Sequence, residues 1–192
     1  CDMIEDSVIN DKVREIKKEL RLAMNGVVSS IQRNHGLNYK INFGVEIPRL
    51  KAIAGRFEKD EELAKRLWQD NIRECKMLAI FLMPENCYPD IAEKWITETP
   101  FTEIADHLTM VILSKLPDAG TKAIEWIQNS EGMFRYCGFM TLTHLFRRGT
   151  RLDAEQESRY LAIAKDIENI ESRKSVIIAA YNSLGHYCNE DE

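Results

Sequence analysis

The chain has 192 residues, a length that suits one domain with a sizeable core, and 44% of them are hydrophobic. With 9 glycines and 5 prolines, it has little turn material for an all-β fold. No apolar run approaches the ~20 residues of a membrane span, and the acidic first residues do not resemble a signal peptide. We therefore expect a single soluble, cytoplasmic domain over residues 1–192.

The net charge of −5 argues against a nucleic-acid partner, yet it is concentrated in the two tails. The acids of the tails are Asp2, Glu5, Asp6, Glu190, Asp191 and Glu192. Without these acids, the remaining residues 7–188 carry a formal charge of +1. A basic face for DNA is therefore allowed by the composition but not required by it.

The cysteines and histidines show no metal-binding pattern. The five cysteines include no CxxC pair, and none of the four histidines has ligand spacing to them. An odd number of cysteines in a chain of this length is typical of a reduced, intracellular protein. We expect no metal site and no cofactor.

The predicted elements are all helices. Residues 7–24 form an amphipathic helix, and a short helix follows at 27–32. Three more helices follow between residues 43 and 82, where Pro48 suits a first helical turn and Asp60 caps the second helix. Asp70 or Asn71 starts the third of them.

The second half of the chain continues as helix pairs. Asp118 is predicted to cap one helix, and Asp153 with Gln156 to cap another. Trp95 and Trp126 are separated by 31 positions, which indicates a repeated unit. With Trp68 they have aliphatic neighbours at helical spacing, so we interpret all three as core residues. The predicted fold is an all-α, curved helical-repeat solenoid of about five helix pairs.

The predicted front helices of this solenoid should line one concave face. They cover residues 72–83, 101–115, 132–147 and 172–187. Residues 153–168 are predicted as a back helix between the last two.

Residues 42–82 resemble the opening of a known family. The strings NFGVEIPRLKAIA, ELAKRLW and IRECKMLAIFL follow in the order and spacing of the DNA alkylation repair family of HEAT-like helical-repeat DNA glycosylases. The resemblance implies a HEAT-like fold and double-stranded DNA, including alkylated DNA, as the partner. It also implies hydrolysis of the N-glycosidic bond of cationic purines alkylated at N3 or N7.

The resemblance places the catalytic carboxylate of the family at Asp106, in the segment FTEIADHLTMVIL. Helix geometry gives a separate indication, because Asp106 lies about 200° around the helix from the apolar Ile104 and Leu108. It should therefore face away from the core, alongside Thr102 and Thr109. In the family this acid stabilises the cationic sugar that develops and positions water. An ordinary surface acid fits the spacing equally well.

Three partner positions of the family carry other residues here. Thr102 stands where the family has an aromatic, and Cys137 stands where it has an arginine. The last aromatic falls near Ala179. Arg135 and Tyr181 are close in sequence but lie on other faces of their helices. We therefore expect base release to be weak or lost.

Several residues are candidates for contact with DNA. They are Lys76, Thr102, Arg148, Arg173 and Lys174. For Arg148, a place at the C-terminus of a helix, where a cation offsets the helix dipole, is the slightly better interpretation. We expect the protein to act as a monomer.

Two other interpretations remain open at this stage. The same surface could hold a protein or peptide in a non-enzymatic scaffold, or other residues could rebuild the repair site. Salt dependence separates DNA binding from the scaffold, because phosphate contacts weaken steeply as salt rises.

Overall fold

The computed structural model describes residues 2–24 and 42–188. Its contacts divide the chain into two compact units, Cys1–Cys87 and Tyr88–Glu192. The short helix predicted at 27–32 lies outside the described residues. The single domain over 1–192 and the common concave face of the front helices stay predictions.

The first unit is built from helices. They are α1 (Asp2–Leu22), α2 (Ile47–Ala54), α3 (Glu61–Gln69) and α4 (Arg73–Leu82), followed by a 3-10 turn at Glu85–Cys87. Pro48 lies in the first turn of α2, and the Asp60 carboxylate accepts a hydrogen bond from Leu63 N at 3.0 Å, as predicted. Helix α4 begins slightly later than predicted, after an extended Ile72 that provides no side-chain cap.

A buried acid on α4 accepts hydrogen bonds from the segment before α2. Glu74 Oε1 accepts hydrogen bonds from the backbone N–H groups of Phe43 and Gly44, each at 3.0 Å. Arg73 Nη1 donates to Val45 O at 2.8 Å. Gly44 has a φ of +66°, a conformation that favours glycine, so the residue types at this junction fit their backbone.

The second unit is also helical. It contains α5 (Tyr88–Glu98), α6 (Thr102–Val111), a 3-10 turn at Leu113–Lys115, α7 (Ala119–Ile127), α8 (Phe134–Arg147), α9 (Ala154–Ala164), α10 (Ile167–Ile170) and α11 (Lys174–Cys188). Helix α8 packs against α5, α6, α7 and α11, so it forms the centre of this unit. A Cβ at Gly138 would lie 2.7 Å from Ile127 Cγ2, which explains the glycine where α8 meets α7.

The predicted caps of this unit had different outcomes. Asp153 and Gln156 form the predicted capping box at the start of α9. Asp118 occupies the N-cap position of α7, but its side chain accepts no capping hydrogen bond, so that prediction is wrong. Its backbone has φ −111° and ψ 32°, outside the extended conformation from which a cap side chain usually reaches the helix amides.

A tryptophan marks the repeated unit. Trp68, Trp95 and Trp126 are each the eighth residue of their helix, in α3, α5 and α7 respectively. Their exposed fractions are 2–3%, which confirms the interpretation as core residues. The 31-position spacing of Trp95 and Trp126 therefore reports equivalent positions in α5 and α7, two helices separated by α6.

The all-helical prediction is confirmed for the described part of the chain. Residues 2–24 and 42–188 contain no β-strand. Within those same ranges, none of the helices combines the length and the apolar character that crossing a bilayer demands.

Candidate functional site

Asp106 lies in the middle of α6 and is partly buried, whereas Ile104 and Leu108 on the same helix are fully buried. The carboxylate is therefore on the more open side of the helix. Thr109, which was expected beside it, is fully buried and its hydroxyl donates to the Asp106 carbonyl oxygen at 2.9 Å. That part of the prediction is wrong, because the hydroxyl turns back onto its own helix.

The partner of the Asp106 side chain is a tyrosine on α8. Tyr136 Oη donates to Asp106 Oδ1 at 2.5 Å, and only 7% of Tyr136 is exposed. Sequence reasoning missed this residue. The sequence offered a weak signal, a tyrosine in the predicted helix 132–147, because a phenol that is buried normally requires a hydrogen-bond partner.

Burial raises the pKa values of both groups in this pair. It raises the pKa of Asp106, an effect that the hydrogen bond from Tyr136 opposes and the nearby Glu103 carboxylate reinforces. Burial also raises the pKa of Tyr136, and its bond to Asp106 adds to the increase. At neutral pH the phenol is therefore an uncharged donor to the acid.

The positions aligned with the family's partner residues do not present useful groups beside this acid. Thr102 is the first residue of α6 and is partly buried. Cys137 is fully buried and Ala179 is 2% exposed, so both side chains face the interior. Burial raises the pKa of the Cys137 thiol, which keeps it protonated at neutral pH. These three residues offer neither an aromatic stacking face nor a cation.

Lys76 was predicted to contact DNA, and the structure gives its ammonium an internal contact. It is 8% exposed, and its ammonium donates to Trp68 O at 2.8 Å. The same ammonium lies 4.6 Å from the centre of the Trp68 ring. In this position it caps the end of α3, and its role in DNA binding stays a prediction.

The predicted cations Arg148 and Lys174 differ in whether the protein itself binds their side chains. Arg148 donates to Ser114 O at 3.0 Å and to Ser114 Oγ at 3.1 Å, at the 3-10 turn after α6. Lys174 starts α11, is exposed, and makes no ion pair within the described ranges. Of these two side chains, Lys174 is therefore the more accessible to phosphate.

Arg173 belongs to a cluster around one acid. Its guanidinium donates to both Glu171 carboxylate oxygens and to the carbonyl oxygens of Ser130 and Gly132. Arg135, 5% exposed, donates to Glu171 Oε1 at 3.2 Å. These donors, with Arg173 foremost, lower the pKa of Glu171 to about 2. The cluster fixes the connection between α7 and α8 against the start of α11.

The described residues contain no group of three or more His, Cys, Asp or Glu side chains placed to hold a metal ion.

A comparison with protein families shows to which family the chain belongs. The profile of the family described as "DNA alkylation repair enzyme" matches residues 16–184. The chain belongs to the DNA alkylation repair family. None of the curated proteins compared with it matches significantly.

A solved structure supports the fold of this family member. It is described as "A new family of proteins related to the HEAT-like repeat DNA glycosylases with affinity for branched DNA structures". The TM-score is 0.74 at 21% sequence identity, and the match covers 90% of this chain and 74% of the other. This similarity confirms the predicted HEAT-like helical-repeat fold.

Proposed function

We propose that this family member binds double-stranded DNA, including branched DNA, on the side of α6 and α8 where Asp106 is partly open to solvent. We further propose that it releases cationic N3- or N7-alkylated purines slowly at most. The observation that carries the proposal is the Asp106 carboxylate, partly open to solvent and held by Tyr136 at 2.5 Å. The described affinity of the structural neighbour for branched DNA supports the choice of partner.

The chemistry of the acid supports a residual glycosylase activity. An alkylated purine already carries positive charge and is a good leaving group. A carboxylate nearby can stabilise the cationic sugar that develops in the transition state. This stabilisation depends on charge and distance, so Asp106 can supply it without the other partners of the family.

The surroundings of the acid support a slow rate. Thr102, Cys137 and Ala179 provide no ring to stack against the lesion and no guanidinium to hold its phosphate. Positioning alone can contribute orders of magnitude to a rate, so its loss should be large even with the acid in place.

A binding titration tests the DNA partner. The protein is titrated with linear duplex, abasic-site duplex and a four-way junction, each over a series of salt concentrations. We expect affinity for all three, tightest for the junction, with affinity falling steeply as salt rises. Lys174→Met should weaken binding to every DNA and reduce the salt dependence. Absence of salt-dependent binding would contradict the proposal.

A base-release assay tests the activity. Alkylated duplex is incubated with the wild type, with Asp106→Asn and with the control Glu155→Gln, which neutralises an exposed acid on α9. We expect slow release of 7-methylguanine by the wild type and by Glu155→Gln, and none above background by Asp106→Asn. Rapid wild-type release would show that the replaced partners are not needed, and release unaffected by Asp106→Asn would assign this acid to the surface alone.

One observation favours a non-enzymatic scaffold as the second candidate. Helix α11 exposes 54% of Ile178 and 46% of Tyr181, and exposed apolar side chains are typical of protein contacts. A protein or peptide partner would bind with little dependence on salt, so the same titration distinguishes it from DNA. The monomeric state and the cytoplasmic location stay predictions.

A further inference from the structure

We propose that Tyr136 is a positioning residue for Asp106, which holds the carboxylate at the partly open side of α6 with an uncharged hydrogen bond. The pair then presents an uncompensated negative charge to a cationic group of the substrate. This inference rests on the proposed function, because it assigns a task to the same site. No aligned position of the family's partner residues falls on Tyr136.

The geometry shows how the orientation is fixed. The 2.5 Å contact joins Tyr136 Oη on α8 to Asp106 Oδ1 on α6, so it connects two helices that pack on each other. Tyr136 is 7% exposed, and its ring is therefore held by the protein. A carboxylate restrained by a rigid donor loses rotamer freedom before the substrate arrives, which is the requirement for a preorganised site.

The charge of the donor matters as much as its position. In the described parts of the chain Asp106 makes no ion pair, and its hydrogen-bonding partner is a phenol with a pKa above its ordinary value. Titratable groups near the pair include Glu103 and His107 on α6 and Cys137 on α8. Of these groups and Asp106 itself, Asp106 and Glu103 are carboxylates, so they contribute negative charge at this site.

The negative charge determines which ligand groups fit. A phosphate brought next to Asp106 would be repelled, whereas a cationic base or the cationic sugar of a transition state would be attracted. An arginine in the place of Tyr136 would compensate the acid and remove this preference. The phenol thus orients the carboxylate and leaves its charge available.

The closing experiment follows the Asp106 carboxyl carbon by NMR during a pH titration. The proteins are the wild type, Tyr136→Phe and Tyr181→Phe. The Phe variant at 136 retains the packed ring and removes only the hydroxyl. Tyr181→Phe is the matched control, because it removes another phenol that contacts a carboxylate, Glu168, in the same unit. Base release from alkylated duplex is measured for each protein over the same pH range.

In Tyr136→Phe we expect Asp106 to titrate at higher pH than in the wild type, because the lost hydrogen bond had favoured the ionised form. Base release near neutral pH should fall by about tenfold, since the carboxylate loses its fixed orientation. Tyr181→Phe should leave both properties unchanged. A residue that served packing alone would give no change in the titration after substitution by phenylalanine.

An Asp106 titration that is identical in the wild type and Tyr136→Phe would overturn the assignment of Tyr136. The titration needs no DNA, so it is independent of the proposed function. If the wild type neither bound DNA nor released base, the proposed function would fail, while a shifted titration would still support Tyr136 as the residue that orients Asp106.

Discussion

Two acids, Glu74 in the first unit and Asp106 in the second, have the same chemical group but different roles. Burial raises the pKa of both Glu74 on α4 and Asp106 on α6. Glu74 is fully buried and accepts hydrogen bonds from the backbone of Phe43 and Gly44. Asp106 remains partly open and, within the described residues, its carboxylate accepts from Tyr136 only. An acid whose acceptors are filled fixes the fold, whereas one with free acceptor capacity is available to a ligand.

The largest expected effect is at Glu74, the acid whose carboxylate already accepts hydrogen bonds from the backbone. Glu74→Ala should reduce the free energy of unfolding by about 3–5 kcal/mol, because it leaves the buried N–H of Phe43 without its acceptor and removes the carboxylate beside the buried Arg73 guanidinium. Glu74→Gln should cost less, since its amide oxygen can still accept from both N–H groups. Urea unfolding measures the change. The control is Glu46→Ala, at an exposed acid whose side chain caps nothing, with an expected change under 0.5 kcal/mol. A similar loss in both variants would remove the distinction between the two kinds of acid.

A third acid extends the comparison to a charged environment. Glu171 has its pKa lowered to about 2 by Arg173 and Arg135, against an ordinary value of 4.5. It therefore stabilises the fold above about pH 4.5, and this contribution is lost as pH falls from 4.5 toward 2. Glu171→Gln should lower the free energy of unfolding by about 2 kcal/mol at pH 7, an effect that the partial exposure of Arg173 keeps small. The variant should also lose less stability than the wild type as pH falls from 4.5 toward 2. Equal acid sensitivity of the two proteins would contradict the assignment.

The cation on α4 permits a similar test. Lys76→Met should lower the free energy of unfolding by about 1–2 kcal/mol, because the Trp68 carbonyl at the end of α3 loses its donor. We expect DNA affinity and its salt dependence to stay unchanged for the folded variant. The matched substitution Lys174→Met should behave in the opposite way, with normal stability and weaker DNA binding. If Lys76→Met reduced the salt dependence instead, the predicted contact of Lys76 with DNA would be supported.

The smallest effect is expected at the open acid itself. The pKa of Asp106 lies above its ordinary value of 3.8, so the fold disfavours the ionised form. The contribution of Asp106 to the free energy of unfolding of the wild type therefore increases as pH falls through the raised pKa toward 3.8. Asp106→Asn should be slightly more stable than the wild type at pH 7, by less than about 1 kcal/mol, because solvent screens the partly exposed carboxylate. A clear destabilisation in urea unfolding would assign Asp106 to the fold.

The helices and much of the core could be predicted from the sequence because their causes are local. The cap at Asp60 and the capping box at Asp153 depend on residues three positions apart. The tryptophans reveal the repeat because each occupies the same position within its helix. The wrong cap at Asp118 has a local cause too, since its side chain makes no capping bond from the conformation that its backbone adopts.

The candidate site was harder to predict because its contacts join distant residues. Tyr136 is 30 positions from Asp106, and helical periodicity gives no indication of which residues on two helices will meet. Lys76 and Arg135 each reach a carbonyl eight positions earlier, across a turn between helices. A lysine or arginine in the sequence can serve either phosphate or such a carbonyl, and only packing selects between them.

Mapping the surface that contacts DNA tests the central claim most directly. Backbone amide shifts of the wild type are recorded by NMR during titration with a four-way junction at moderate salt. We predict that the largest changes occur on α6 around Asp106 and on the adjoining part of α8, with little change around buried Glu74. Changes concentrated at the end of α3 and around Lys76, with α6 and α8 unaffected, would contradict the account.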